Sequence, residues 1–264
     1  MQPDSLQDNI AQIAHRFVTA RRDATALVDY PGTMPAALAE AYAMQDAAIA
    51  LTDRPISGWK VGRINPPIEG CDRLAGPIFA DQTFIAEATP RAMTVYAGGF
   101  AAAEAEFLLR VAATPDASKH SYTLAEATAL IDRVCVGIEI ASSPFGGIND
   151  HGAPVTVSDF GNNNGLVIGP EVTGWDQIDI NDWPVELTID GESTGVAMAS
   201  DMLDGPFGAV RFLFELMAAR GIALTAGQWI STGAVSGVHQ VAIGAQVAAI
   251  FDNRLTVECS IAAQ

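Results

Sequence analysis

Hydrophobic positions along this chain follow two different periods. Up to Pro55 they recur at helical spacing, with Ile10, Ile13, Ala14 and Phe17 on one face of a 3.6-residue repeat. Ser5 stands where an N-cap belongs. A second helix is predicted over 36–51, rich in Ala and carrying Tyr42, Met44 and Ile49. Asp29-Tyr30-Pro31-Gly32 reads as the turn between the two.

Beyond Pro55 the apolar stretches shorten, and Gly and Pro punctuate them. Strands are predicted at 58–62, 101–111, 135–141, 165–168, 185–189, 228–232, 246–250 and 255–261. Two more helices are expected. One covers 123–133, opened by Thr123 with Glu126 three residues later as a capping box; the other covers 207–220, closed by Gly221. Strands so outnumber helices that a repeating βαβ array is excluded, and the class is α+β. The expected division is a helical portion over 1–55 and a strand-rich core over 56–264.

Charge narrows the partners. Fourteen basic residues against 31 acidic ones give a net charge of −17, which repels a phosphate backbone, and no basic cluster offsets it. Nucleic acid is therefore not an expected partner. No apolar run approaches the roughly 20 residues that cross a bilayer. Met1-Gln2-Pro3-Asp4-Ser5 lacks the basic start and apolar stretch of a signal peptide, so a cytoplasmic location is expected. Cys71, Cys135 and Cys259 are odd in number and far apart, which suggests neither a disulfide framework nor a CxxC pair. Cys135 and Cys259 read as small core residues.

The chemistry is concentrated in acids that interrupt apolar runs. Glu104 and Glu106 lie inside Phe100-Ala101-Ala102-Ala103-Glu104-Ala105-Glu106-Phe107-Leu108-Leu109, and Glu139 inside Val134-Cys135-Val136-Gly137-Ile138-Glu139-Ile140-Ala141. In a strand, residues i and i+2 share a face, so Glu104 and Glu106 project together. Carboxylates in apolar surroundings are costly unless a cation compensates them. A hard divalent metal with oxygen ligands is the simplest compensation. The plainer alternative, two strands with solvated outer faces, fits poorly, because Ala102 and Leu108 would share that face.

Other candidates are more open. Lys60, in Gly58-Trp59-Lys60-Val61-Gly62, is either an exposed residue on an edge strand or a cation beside the acids, able to hold a carboxylate or move a proton. Asp81, ending Gly76-Pro77-Ile78-Phe79-Ala80-Asp81, is either a turn cap or a functional acid. The stretch from Val157 to Gly165 is dense in turn-formers and reads as a solvated loop. Its Asn163 and Asn164 could donate to a substrate oxygen. Thr232, in Ser231-Thr232-Gly233, could donate to a substrate carboxylate, and His239 alone reads more readily as structural. There is no Walker A, GxGxxG, HExxH or GxSxG pattern.

Taken in order, the GWKVG segment, the GPIFAD segment, Glu104-Ala105-Glu106-Phe107, the Glu139 strand and Ser231-Thr232-Gly233 resemble one group of proteins. It is the 2-keto-4-pentenoate hydratase and 2-oxo-hex-3-enedioate decarboxylase group of the fumarylacetoacetate hydrolase superfamily. The resemblance covers nearly the whole chain. It implies a mixed β-roll or barrel-like catalytic core, like the fumarylacetoacetase C-terminal part, behind an N-terminal helical portion. It also implies Mg²⁺ or Mn²⁺ held by Glu104, Glu106 and Glu139, with Lys60 and Asp81 as proton carriers. The implied activity is that of a metal-dependent hydratase acting on a short 2-hydroxydienoate or 2-oxo acid, in a homo-oligomer.

Three alternatives stay open. Decarboxylation of a 2-oxo-dioate would need a cation such as Arg63 or Arg73 for the second carboxylate. Hydrolysis of an acylpyruvate would need a base such as His120 or His151. A non-catalytic binding protein of the same fold would leave the acids solvated. Two segments depart from the family pattern, Asp159-Phe160-Gly161-Asn162-Asn163-Asn164 and Arg63-Ile64-Asn65-Pro66-Pro67. Both are expected to line the substrate pocket.

Overall fold

The computed structural model describes residues 6–264, so the Ser5 cap lies outside the described residues. In chain order the elements are α1 (Leu6–Arg22), α2 (Leu38–Ala50), β1 (Ile56–Ile68), β2 (Cys71–Phe79), β3 (Thr83–Ile85), β4 (Arg91–Val95) and β5 (Phe100–Val111). Then come α3 (Leu124–Thr128), β6 (Ile131–Ser143), α4 (Ala153–Ser158), β7 (Asn163–Glu171), β8 (Pro184–Ile189) and β9 (Glu192–Met198). The chain finishes with α5 (Gly205–Arg220), β10 (Trp229–Ser231), β11 (His239–Gln240), β12 (Gln246–Phe251) and β13 (Leu255–Ala263).

Local chemistry accounts for much of this. Ile13, Ala14 and Phe17 are buried on one face of α1, as their spacing requires. Gly221 ends α5 in the left-handed conformation, with φ of 68°. The Thr123–Glu126 capping box forms, but α3 stops at Thr128 rather than running to residue 133. Its expected last turn is claimed by the sheet, where Ile131 and Arg133 pair with Val111 and Arg110. The stretch expected to be a solvated loop, 157–165, is instead buried throughout, passing from α4 through a 3₁₀ turn at Phe160–Asn162 into β7. Strand β2 went unread beyond its GPIFAD end because charged residues and Gly break its alternation.

Two mixed sheets result. The larger has the order β2-β1-β10-β5-β6-β7-β3, with β11 also pairing with β5; the smaller has the order β4-β13-β12-β8-β9. Parallel pairs (β1 with β10, β3 with β7, β4 with β13) sit among antiparallel ones. One face of β5 and β6 joins the smaller sheet and α5 in the main core, where Phe107 meets Phe251 edge-on at 5.2 Å. Alternation along β5 sends Ala105, Phe107 and Leu109 into that core, and so turns Glu104 and Glu106 to the other face. That second face is covered by the Phe160–Asn162 turn, with α2 and α4 behind it. Gln45 of α2 ties the layers by donating to the carbonyls of Ala75 and Val157. No helix of the described residues is long and apolar enough to cross a membrane. Cys135 and Cys259 are buried and unpaired.

Candidate metal centre

The β5–β6 register assembles the acids. Glu104 lies directly opposite Glu139, and Glu106 opposite Gly137. One oxygen from each of the three carboxylates lies within 4.8 Å of the other two. Glu106 and Glu139 are fully buried and Glu104 is 4% exposed. Glu106 Oε2 accepts from the Ser231 hydroxyl at 2.5 Å and the Gly233 N–H at 2.9 Å, while Glu139 Oε1 accepts from Asn163 Nδ2 at 2.9 Å. The remaining oxygens, Glu106 Oε1 and Glu139 Oε2, have no protein partner. Buried carboxylate oxygens without donors are costly. An all-oxygen donor set suits a hard dication, so these residues fit one.

The electrostatics agree. Burial pushes the Glu104 carboxyl up to about 7, with Lys60 opposing and Glu139 adding to the rise. Burial, then the charges of Glu139 and Glu104, raises Glu106 well above the usual carboxylate range. Without a metal, Lys60 offsets part of the crowded charge, and the raised carboxyls favour their protonated forms.

Lys60 is not on an edge. Its strand β1 runs between β2 and β10, and Lys60 itself pairs with Gly76 and Ser231, 4% exposed. Its ammonium is 3.4 Å from Glu139 Oε1 and donates to Asn162 Oδ1 at 3.2 Å. Burial alone would lower this group, but the three carboxylates outweigh it and hold the ammonium above its ordinary value.

A cavity of about 810 Å³ opens beside these groups, with Lys60, Glu104, Asn162 and Thr232 in its wall. Both atypical segments contribute, through Arg63 to Pro66 and through Asn162. Thr232 lies in this wall, but its hydroxyl donates to the Phe107 carbonyl, leaving it an acceptor toward the cavity. Asn163 stands behind the acids as a donor to Glu139.

Like Asn163, two further candidates do not line the cavity. Asn164 turns away, donating to the Thr94 carbonyl and accepting from Arg21 and Gln82. Asp81 sits in the 3₁₀ turn after β2, exposed and paired with Arg54 at 2.7 Å, outside the cavity wall. The strand that carries it pairs Gly76 with Lys60 and then runs on, so Asp81 is displaced along the sheet. None of the described histidines lines the cavity: His151 stacks on Phe145 and His239 contacts the Ser236 carbonyl.

Sequence reasoning missed Asn162, Ser231 and Gly233. A Ser and a Gly flanking Thr232 at a strand end carried the only available signal for the latter two. Asn162 depends on contacts that no local pattern shows.

A two-sheet α+β body with a buried three-carboxylate centre at the wall of a large cavity is also the setting in which known structures can be compared. No family model matches the sequence, and no curated protein matches it. Solved structures do share the fold. 4-Oxalocrotonate decarboxylase from Pseudomonas putida G7, complexed with magnesium and adipate, aligns with a TM-score of 0.79 at 18% identity, over 97% of this chain and 98% of that one. Fumarylpyruvate hydrolase from Pseudomonas aeruginosa, in complex with Mn²⁺ and pyruvate, aligns with a TM-score of 0.61 at 15% identity, over 81% of this chain and 94% of that one. 2-Hydroxyhepta-2,4-diene-1,7-dioate isomerase from Mycobacterium marinum gives a TM-score of 0.58 at 17% identity, covering 80% and 77%. The chain therefore shares the mixed α+β fold of these structures.

Proposed function

We propose that the protein is a metal-dependent lyase that adds water to a short 2-hydroxydienoate, such as 2-hydroxypenta-2,4-dienoate, by way of its 2-oxo form. The observation that carries this reading is the convergence of Glu104, Glu106 and Glu139, with two orphaned oxygens, beside Lys60 at the wall of one cavity. The three carboxylates would hold Mg²⁺ or Mn²⁺, the ions named for two proteins of this fold. Bound there, the ion supplies Lewis acidity toward a 2-oxo acid's oxygens.

The chain's own residues do the rest. Lys60 Nζ holds a proton at the cavity wall and can deliver it to a substrate carbon. With Asp81 outside the cavity, proton transfer falls to Lys60. Thr232 offers its hydroxyl oxygen as an acceptor. Met202, Leu203 and Val235 add apolar surface to the cavity lining, suited to an unsaturated carbon chain.

A second reading, decarboxylation of a 2-oxo-dioate, has a specific observation in its favour. Arg63 lines the cavity with no acidic partner among the described residues, whereas Arg73 is occupied by Asp72 and Asp204. A free guanidinium suits a distal carboxylate. The decarboxylase from P. putida shares the fold over nearly its full length.

Parallel assays separate the readings. Mn²⁺-loaded protein is given 2-hydroxypenta-2,4-dienoate, followed by loss of diene absorbance, and 2-oxo-hex-3-enedioate, followed by CO₂ release. Water addition without CO₂ supports the hydratase, and the reverse supports the decarboxylase. Full turnover after chelation, or no calorimetric Mn²⁺ uptake with oxalate present, sinks both and leaves a non-catalytic binding protein.

A further inference from the structure

The segment that faces Lys60 has an unusual backbone. Phe160, Gly161 and Asn162 all have positive φ, at 55°, 61° and 58°. Three successive left-handed residues are costly for an L-chain and persist only where the surroundings fix them. Here they are fixed from both sides. A Cβ on Gly76 would lie 2.1 Å from the Phe160 carbonyl oxygen, so the turn rests on bare β2 backbone at the residue paired with Lys60. From behind, Asp159 is clamped by Arg21 at 2.6 Å and by the Ser143 hydroxyl at 2.7 Å.

The turn presents one side chain to the ammonium. Asn162 Oδ1 accepts from Lys60 Nζ at 3.2 Å, slightly nearer than the 3.4 Å to Glu139 Oε1. The orientation of that amide is set by its far end. Asn162 Nδ2 donates to Asn149 Oδ1 at 3.0 Å, and the same oxygen accepts from the Thr156 hydroxyl at 3.2 Å. Lys60 donates to Asn162, and Asn162 in turn to Asn149. The single Thr156 hydroxyl proton is shared between Asn149 and the nearer Ile148 carbonyl at 3.0 Å. With its Nδ2 held by Asn149, the Asn162 amide turns its oxygen to the ammonium.

This matters because Lys60 and a dication would compete for the same carboxylate. An ammonium drawn fully onto Glu139 neutralises one of three charges that a metal needs. We propose that Asn162 is a positioning residue: by giving the Lys60 ammonium its own acceptor, it holds the amine off Glu139 and keeps that carboxylate available to a dication. The inference rests on the metal-dependent reading above and adds a residue to it. The turn's strained backbone and its two-sided clamp are then the cost of placing that amide.

The test measures Mn²⁺ affinity by titration calorimetry, with the melting temperature recorded alongside. Asn162→Gly removes the acceptor while tolerating positive φ. Loss of a hydrogen bond to a charged group predicts about tenfold weaker Mn²⁺ binding. In a Lys60→Met background the competing amine is gone, so adding Asn162→Gly should leave Mn²⁺ affinity unchanged. Should the glycine variant fold poorly, Asn149→Ala frees the Asn162 amide to rotate and should weaken Mn²⁺ binding in the same direction. Equal losses with and without Lys60 would show a merely structural role and overturn the proposal, as would unchanged affinity in both single variants. Absence of Mn²⁺ binding in the unsubstituted protein would instead remove the metal-dependent reading itself.

Discussion

Glu104 stands directly across the β5–β6 ladder from Glu139, two buried carboxylates in one cross-strand pair. Like charges in that position oppose the pairing that brings them together. The sheet tolerates them because Lys60 lies at 3.4 Å from one, and because protons or a dication can take up the remaining charge.

Glu106→Gln follows from this directly. Glu106 is the most confined of the three, held by Ser231 and Gly233 on one oxygen and orphaned on the other. Its neutral amide should weaken Mn²⁺ binding by about 100-fold or more, beyond the usual effect of losing an outer-shell partner. Turnover should be abolished. The metal-free variant should melt at a higher temperature than the unsubstituted protein at neutral pH, because the amide is buried neutral without having to take up a proton. Calorimetry and a thermal melt check both halves, and a lower melting temperature would contradict the charge argument.

The stability of the metal-free protein should depend on pH in a particular window. Glu104 is raised from 4.5 to about 7 in the folded state, so between those values the folded chain binds a proton that the unfolded chain does not. Stability must then fall as pH rises from 4.5 through 7. Glu106, raised as well, adds to the decline. Saturating Mg²⁺ or Mn²⁺ should flatten the slope, because the ion replaces the protons. Urea midpoints between pH 5 and 8, with and without metal, measure it.

Lys60→Met should separate chemistry from metal capture. Loss of a positioned acid–base group typically lowers turnover by about 10²–10⁴-fold. Mn²⁺ binding should survive or tighten, since a competing positive charge beside Glu139 has been removed. Loss of both together would mean that the ammonium is needed to build the centre.

Asp81→Asn tests where the proton chemistry ends. Its carboxylate is exposed, paired with Arg54 and absent from the cavity wall. An exposed ion pair contributes no more than about 1 kcal/mol, so stability should barely change. Turnover by the asparagine variant should stay near that of the unsubstituted protein. A large loss of turnover would place Asp81 in the reaction, as the family resemblance implies and this geometry does not.

The acids were legible in the sequence because their signal is local, whereas Lys60 stood open between an edge position and a place beside the acids. A charged residue interrupting an apolar run, repeated two residues later, announces one face of a strand whatever the strand pairs with. The register that sets Glu139 opposite Glu104 was not legible, since nothing near either residue encodes the partner. Residues 157–165 misled for a related reason. Asn and Gly do mark a turn there, but its burial depends on Gly76, on the second strand of the β1–β2 pair, and on Arg21, in the first helix. The Thr123 capping box was read correctly and still overpredicted its helix, because Ile131 and Arg133 gain more from strand pairing than from another helical turn.

The clamp on Asp159 gives the start of the chain an unexpected reach. Arg21, on the last turn of α1, is 5% exposed and touches no cavity group, yet its guanidinium grips the residue from which the left-handed turn departs. Trimming the molecule back to its strands would leave Asp159, four residues before the donor to Glu139, with the Ser143 hydroxyl but no cation. The helical leader is thus no detachable ornament: the turn at the cavity wall borrows its rigidity from a helix well over a hundred residues earlier in the polypeptide.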